Sequence, residues 1–148
     1  MSWRAPAVGD LQAAMTGTEI GELEDLALAD GQTGLVAAVL TATVALVRGY
    51  LRGYAPTSMG AAGTLPPELI GPAMDIAVMK LYRRADKEPS DVRKAAAEAA
   101  MKLLTEALPK GEFRVEAPAE TDGTTTAGAT PSVSTTTRDD YVETYDGL

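Results

Sequence analysis

The chain has 148 residues, 13 basic and 21 acidic side chains, a net charge of −8, and neither cysteine nor histidine. That length suits one domain rather than two. The missing residue types exclude disulfides, Cys/His metal sites and histidine-dependent nucleophilic catalysis within one chain, and the acidic balance disfavours general binding to a phosphate backbone.

The charge is unevenly placed. Residues 1–30 carry one base and six acids, residues 31–116 eleven bases and nine acids, and residues 117–148 one base and six acids. A near-neutral middle is flanked by two acidic ends. Met1-Ser2-Trp3-Arg4 runs into Ala and Pro, not into the apolar core of a signal peptide. Trp3 reads as a loose terminus or as a second anchor. Asp10 is placed to cap a short helix over 11–15. Thr16 and Glu19 have capping-box spacing, which predicts a second helix over 19–29. Ile20, Leu23, Leu26 and Ala27 form its expected buried face, and Asp30-Gly31 ends it.

Thr33 is the expected cap of the longest helix, 33–54. Val36, Leu40, Val44, Val47, Leu51 and Tyr54 recur there in steps of three and four, and Leu35 and Val39 widen the stripe. Arg48 and Arg52 suit the negative end of its dipole. The uncharged run 31–47 is seventeen residues long and falls just short of a membrane span, so a spanning segment is only a minor alternative. A breaker-rich loop follows over 55–65.

Pro66 and Pro67 open a fourth helix reaching residue 85, with Ile70, Met74, Ala77 and Leu81 as its main stripe. Leu69, Ala73 and Ile76 lie beside that stripe. Asp75, inside this apolar pattern, is expected to pair with an arginine or face water. Ser90 caps a fifth helix, 90–108, whose expected buried face is Val92, Ala96, Ala99, Leu103 and Ala107. Pro109 and Gly111 end it, and 113–115 reads as a short extended segment. Tyr50, Tyr54 and Tyr82 read as core or core-edge aromatics.

The fold expected over 1–116 is all-α: a small bundle of four or five helices with a long central helical hairpin. Residues 33–54 pair with 66–85, and 90–108 pack across them. From Ala117 the composition turns to Thr, Gly, Ala, Pro and Ser, which reads as a linker over 117–137. An extended tail, 138–148, ends the chain. Its Arg138, Tyr141, Val142, Tyr145 and Leu148 are the candidate partner-binding residues, because aromatic anchors on a polar tether suit a docking peptide.

Arg83, Arg84, Lys87, Arg93 and Lys94 form the densest basic cluster. Asp86, Glu88 and Asp91 interleave it, which argues against a DNA-binding patch. Arg83, Arg84 and Arg93 are the candidate inter-subunit contacts. Glu22, Glu24, Asp25 and Asp30 lack the spacing of a calcium loop and read as a solvated acidic face. No metal, cofactor or catalytic residue is expected.

Over about residues 7–116 the chain resembles the Mu-type head–tail adaptor family of tailed bacteriophages. The resembling residues begin with Val8-Gly9-Asp10-Leu11 and an acidic helix ending Ala29-Asp30. The long helix then ends Val47-Arg48-Gly49-Tyr50-Leu51-Arg52-Gly53-Tyr54. Leu65-Pro66-Pro67-Glu68-Leu69, Asp75-Ile76-Ala77 and Leu81-Tyr82-Arg83 follow, and then an alanine-rich helix containing Arg93. The resemblance implies a structural protein of the virion neck, assembled in the host cytoplasm. It implies a ring, usually of twelve copies, below the portal. A stopper or tail-completion protein would sit beneath it, and double-stranded DNA would pass through the lumen without sequence-specific binding. No membrane is involved in that reading. The alternative from a different class is an acidic helical regulatory or scaffolding protein that binds a basic partner through its tail.

Overall fold

The unbroken apolar spacing between Leu35 and Leu51 becomes the central helix of the computed structural model, which describes residues 2–28, 33–54 and 58–119. In chain order the helices are α1 (Val8–Gln12), α2 (Gly17–Ala27), α3 (Leu35–Tyr54), α4 (Pro67–Arg84) and α5 (Asp91–Lys102). A wide π-helical turn, Leu103–Ala107, and a last helical turn, Leu108–Lys110, extend α5. The fold is all-α: among the described residues there is no strand, only one isolated antiparallel bridge between Arg4 and Leu65.

The α3–α4 hairpin forms as the periodicity predicts. Val36, Leu40, Val44, Val47 and Leu51 are buried against Ile70, Met74, Ala77 and Leu81 within a single core cluster. α1 and α2 pack on α4, and α2 also touches α3. α5 packs chiefly on α4, and its extension, Leu103–Lys110, reaches α3. Thr43, fully buried in the apolar stripe, satisfies its hydroxyl by donating to the Val39 carbonyl at 2.8 Å.

Several local expectations need correction. α1 begins at Val8, and Asp10 sits inside its first turn rather than ahead of it. The Asp10 carboxylate accepts from the Ala7 amide at 2.7 Å and so closes the turn from within. In α2 the Thr16–Glu19 capping box forms as expected, each side chain accepting from the other residue's backbone N–H. Leu26, however, is 60% exposed. The chain turns extended at Leu28, and Ala27 and Leu28, both half-buried, make the core contact there instead. The predicted Asp30-Gly31 stop lies outside the described residues. Thr33 does not cap α3: the helix starts at Leu35, directly after Gly34, whose φ of +78° belongs to the left-handed region. Tyr54 is 57% exposed at the end of α3, whereas Tyr82 is buried.

The largest correction is the rotation of α5. Val92 is 78% exposed and Ala99 is exposed, while Ala97, Ala100, Leu104 and Leu108 are buried. The buried face therefore lies one residue on from the expected one. Alanines populate both candidate faces, so hydrophobic contrast alone does not select between them. The wide turn 103–107 falls just before Pro109, whose missing N–H and bulky ring both oppose a regular turn. It leaves Leu104 and Leu108 together on the core side. Phe113 and Val115 form no strand; they pack, half-buried, against the core.

Trp3 is also misread by the sequence. Its ring is 7% exposed and belongs to the core. The indole N–H donates to the Glu116 carbonyl at 2.8 Å. Below the ring, the Arg48 guanidinium donates to the carbonyls of Gly60 (3.0 Å), Ala61 (3.0 Å) and Thr64 (2.6 Å). Arg48 thus organises the loop before α4 instead of merely complementing the α3 dipole. Arg4 and Leu65 exchange backbone hydrogen bonds of 3.0 and 2.9 Å next to it. Glycine is required at position 60, because a Cβ there would stand 2.7 Å from the Trp3 ring.

α4 ends with two closing hydrogen bonds, Asp86 N–H to Arg83 O at 3.2 Å and Lys87 N–H to Tyr82 O at 3.0 Å. This end needs a left-handed residue, and Asp86 takes it at φ +53°. Two outcomes follow for urea denaturation. Gly60→Ala lowers stability by about 1–3 kcal/mol, the usual cost of overpacking. Asp86→Gly raises it by about 0.5–1 kcal/mol, because the left-handed conformation no longer opposes a Cβ.

Candidate interaction surfaces

Charge is missing from the side of α3 that faces away from the core. Ala37, Ala38, Thr41, Ala42 and Ala45 are all exposed, and no ionisable residue occurs between Leu35 and Val47. A helix that turns this side to water ordinarily carries charges there. The first groove, about 850 Å³, runs along this face. Ala37, Leu40, Thr41, Val44 and Ala45 line one side, and the segment Ala5, Pro6, Ala7 and Val8 lines the other. Arg48 and Arg52 close one end.

The N-terminal wall of this groove is fixed by electrostatics. Arg4 donates two hydrogen bonds to Asp10, at 2.9 and 2.6 Å. The Arg4 guanidinium, and then the Ala7 amide, hold the Asp10 carboxyl well below its ordinary value, at about 2. The ionised pair therefore supports the wall fully above the ordinary Asp value and is lost as pH falls towards about 2.

A second groove, about 650 Å³, lies between α4 and α5. Leu46, Ile76, Met79, Ala97 and Met101 form its apolar surface. Lys80, Arg83, Lys94 and Lys102 stand around it, with Glu98 the one acid among its lining residues. Lys94 pairs with Glu88. Lys80 and Arg83 have no ion-pair partner among the described residues, and burial, followed by the charge of Arg83, lowers the pKa of Lys80.

The candidate inter-subunit arginines divide. Arg83 and Arg84 are exposed at the end of α4. Arg93 is engaged within the chain: it pairs with Glu19 at 2.9 Å, donates to the Tyr82 hydroxyl, and lies 5.4 Å from the centre of the Tyr82 ring. It ties α2, α4 and α5 together. The Thr16 amide first, and Arg93 to a lesser degree, keeps the Glu19 carboxyl below its usual range. Asp75 is half-buried in α4 and forms no ion pair among the described residues; burial raises its carboxyl.

Arg138, Tyr141, Val142, Tyr145 and Leu148 lie outside the described residues. Among the described residues, no three acidic or metal-ligating side chains gather into a metal site. Compared with protein-family models, curated proteins and solved structures, the chain matches none.

Neither groove is identified by the sequence analysis. The uncharged outer side of α3 has a signal in the sequence, since the run 31–47 lacks any charge. The α4–α5 groove has none, because it depends on the rotation of α5.

The Asp10 pair provides a direct check. An NMR titration of the native chain is expected to place the Asp10 carboxyl at about 2, and Arg4→Ala to move it upwards. It stays below 3.8, because the Ala7 N–H still donates to the carboxylate.

Proposed function

We propose that the chain is a structural subunit of a phage head–tail adaptor ring that joins the portal to the neck and lengthens the DNA channel. It performs no reaction. Its partners in this reading are further copies of itself, the portal above and a stopper or tail-completion protein below. The resemblance of residues 7–116 to the adaptor family supplies the family-level reading.

The observation that carries it is the bare outer side of α3. A surface of Ala and Thr over residues 37–45 of α3 lets another helix approach that stretch closely without stranding a charge. A cyclic ring needs such a surface to meet a different surface on the next copy. The net charge of −8 agrees with a channel that repels phosphate and lets a duplex slide. Arg83 and Arg84, exposed and without an ion-pair partner among the described residues, remain available to acidic residues on a neighbour. α3 is also long and apolar enough to cross a membrane, but eight of its residues are packed in the core.

Mass measurement of the chain alone and with its portal tests the proposal. Ring-sized assemblies are expected, and electron microscopy of the particle should place copies of the chain between portal and tail. Thr41→Glu with Ala45→Glu should abolish assembly while helical circular dichroism persists, since both positions are exposed and glutamate favours helix. A species that stays at 15.4 kDa even beside portal supports the free-standing regulator instead. Partition into detergent supports a membrane role for α3.

A further inference from the structure

We infer that the apolar groove between α4 and α5 is the docking site of the chain's own C-terminal segment, residues 138–148. This concerns the isolated subunit and stands or falls apart from ring assembly.

Three observations converge on this occupant. The first is charge. Lys80, Arg83 and Lys102 border the groove without an ion-pair partner among the described residues. Glu98 is the single acid beside them. Residues 138–148 carry four acids, Asp139, Asp140, Glu143 and Asp146, and one base, Arg138. Burial and the charge of Arg83 already disfavour the Lys80 cation, so an arriving carboxylate relieves an existing penalty.

The second is pattern. Tyr141, Val142, Tyr145 and Leu148 fall at i, i+1, i+4 and i+7, the spacing of one helical face, and all four acids fall off that face. That is the spacing by which an amphipathic helix enters an apolar groove. The wall supplied by α5 runs from Lys94 to Lys102, about 12 Å at the helical rise. Two anchors one turn apart need only about 6 Å of it. Met79 and Met101 give the floor adaptable, polarisable side chains that suit aromatic rings.

The third is reach. Ala119 is the last described residue, and 21 residues separate it from Tyr141. A Gly/Thr-rich linker of that length spans about 25 Å on average, comparable to a small domain. Joined in this way, the segment experiences a local concentration on the millimolar scale, so even a weak contact is populated.

The chain's lack of cysteine makes the test clean. Gly147→Cys carries a nitroxide spin label, and the full-length protein carries 13C-methyl methionine. The labelled chain is diluted into an excess of unlabelled native chain, so only effects within one chain are read. The expected result is that Met79 and Met101 lose signal more than Met15 does. Arg83→Glu with Lys102→Glu, or Tyr141→Ala with Tyr145→Ala, restores their intensity. The second pair lies beyond the described bundle, which guards against a folding artefact. Equal losses at all methionines overturn the inference. So does broadening that survives both double variants, or broadening confined to mixtures in which label and 13C sit on different chains.

Discussion

The guanidinium of Arg48 is the point through which the non-helical parts of this protein are held. It projects from α3 and binds three carbonyls of the 60–64 loop, with the Trp3 ring 6.0 Å away. Hydrogen bonds from a charged donor contribute more than neutral ones, roughly 1.5–3 kcal/mol each. The loop carbonyls have no helix to satisfy them, so the cation supplies what regular structure does not. Leu65 then pairs with Arg4, and Trp3 binds Glu116. The N-terminal segment, the loop before α4 and the chain beyond α5 all meet at one end of α3.

That convergence shapes the surface as well as the core. It sets residues 5–8 beside α3, where the Arg4–Asp10 pair fixes them as the wall of the first groove. Arg93 performs a comparable task by joining Glu19 of α2 to Tyr82 of α4 from its place on α5. This tether sits at the start of α5, the wide turn 103–107 at its end. Between them the rotation of α5 is determined, and the α4–α5 groove opens where the half-buried Met101 and the α5 lysines meet α4. The two grooves differ in chemistry: one is uncharged along α3 as far as Val47 and closed at one end by Arg48 and Arg52, and the other has an apolar floor with cations around it.

The sequence is legible where the contrast between apolar and polar residues is strong. α3 and α4 show that contrast over about five turns, and the predicted stripes are the buried stripes except at Tyr54, which is exposed at the end of α3. The Thr16–Glu19 box and the Ser90 cap are equally clear, because a cap is a local exchange of hydrogen bonds. In α5, alanine is both the apolar and the neutral residue, and the expected face is one position out. Trp3 and Arg48 are misjudged for another reason. The partners of Trp3 lie up to 113 residues away, and those of Arg48 lie in a loop whose path has no periodicity.

By itself, then, the sequence determined the all-α class, the helical hairpin at the centre, the Thr16 and Ser90 caps and an uncharged stretch on the longest helix. Each of these follows from interactions within a few residues or from a repeating pattern along one helix. Only the tertiary structure decided which side of α5 is buried, that Trp3 is core, that Arg93 is an internal tether, and where the grooves run. These depend on groups far apart in the chain finding complementary shape and charge, and no local pattern records that meeting.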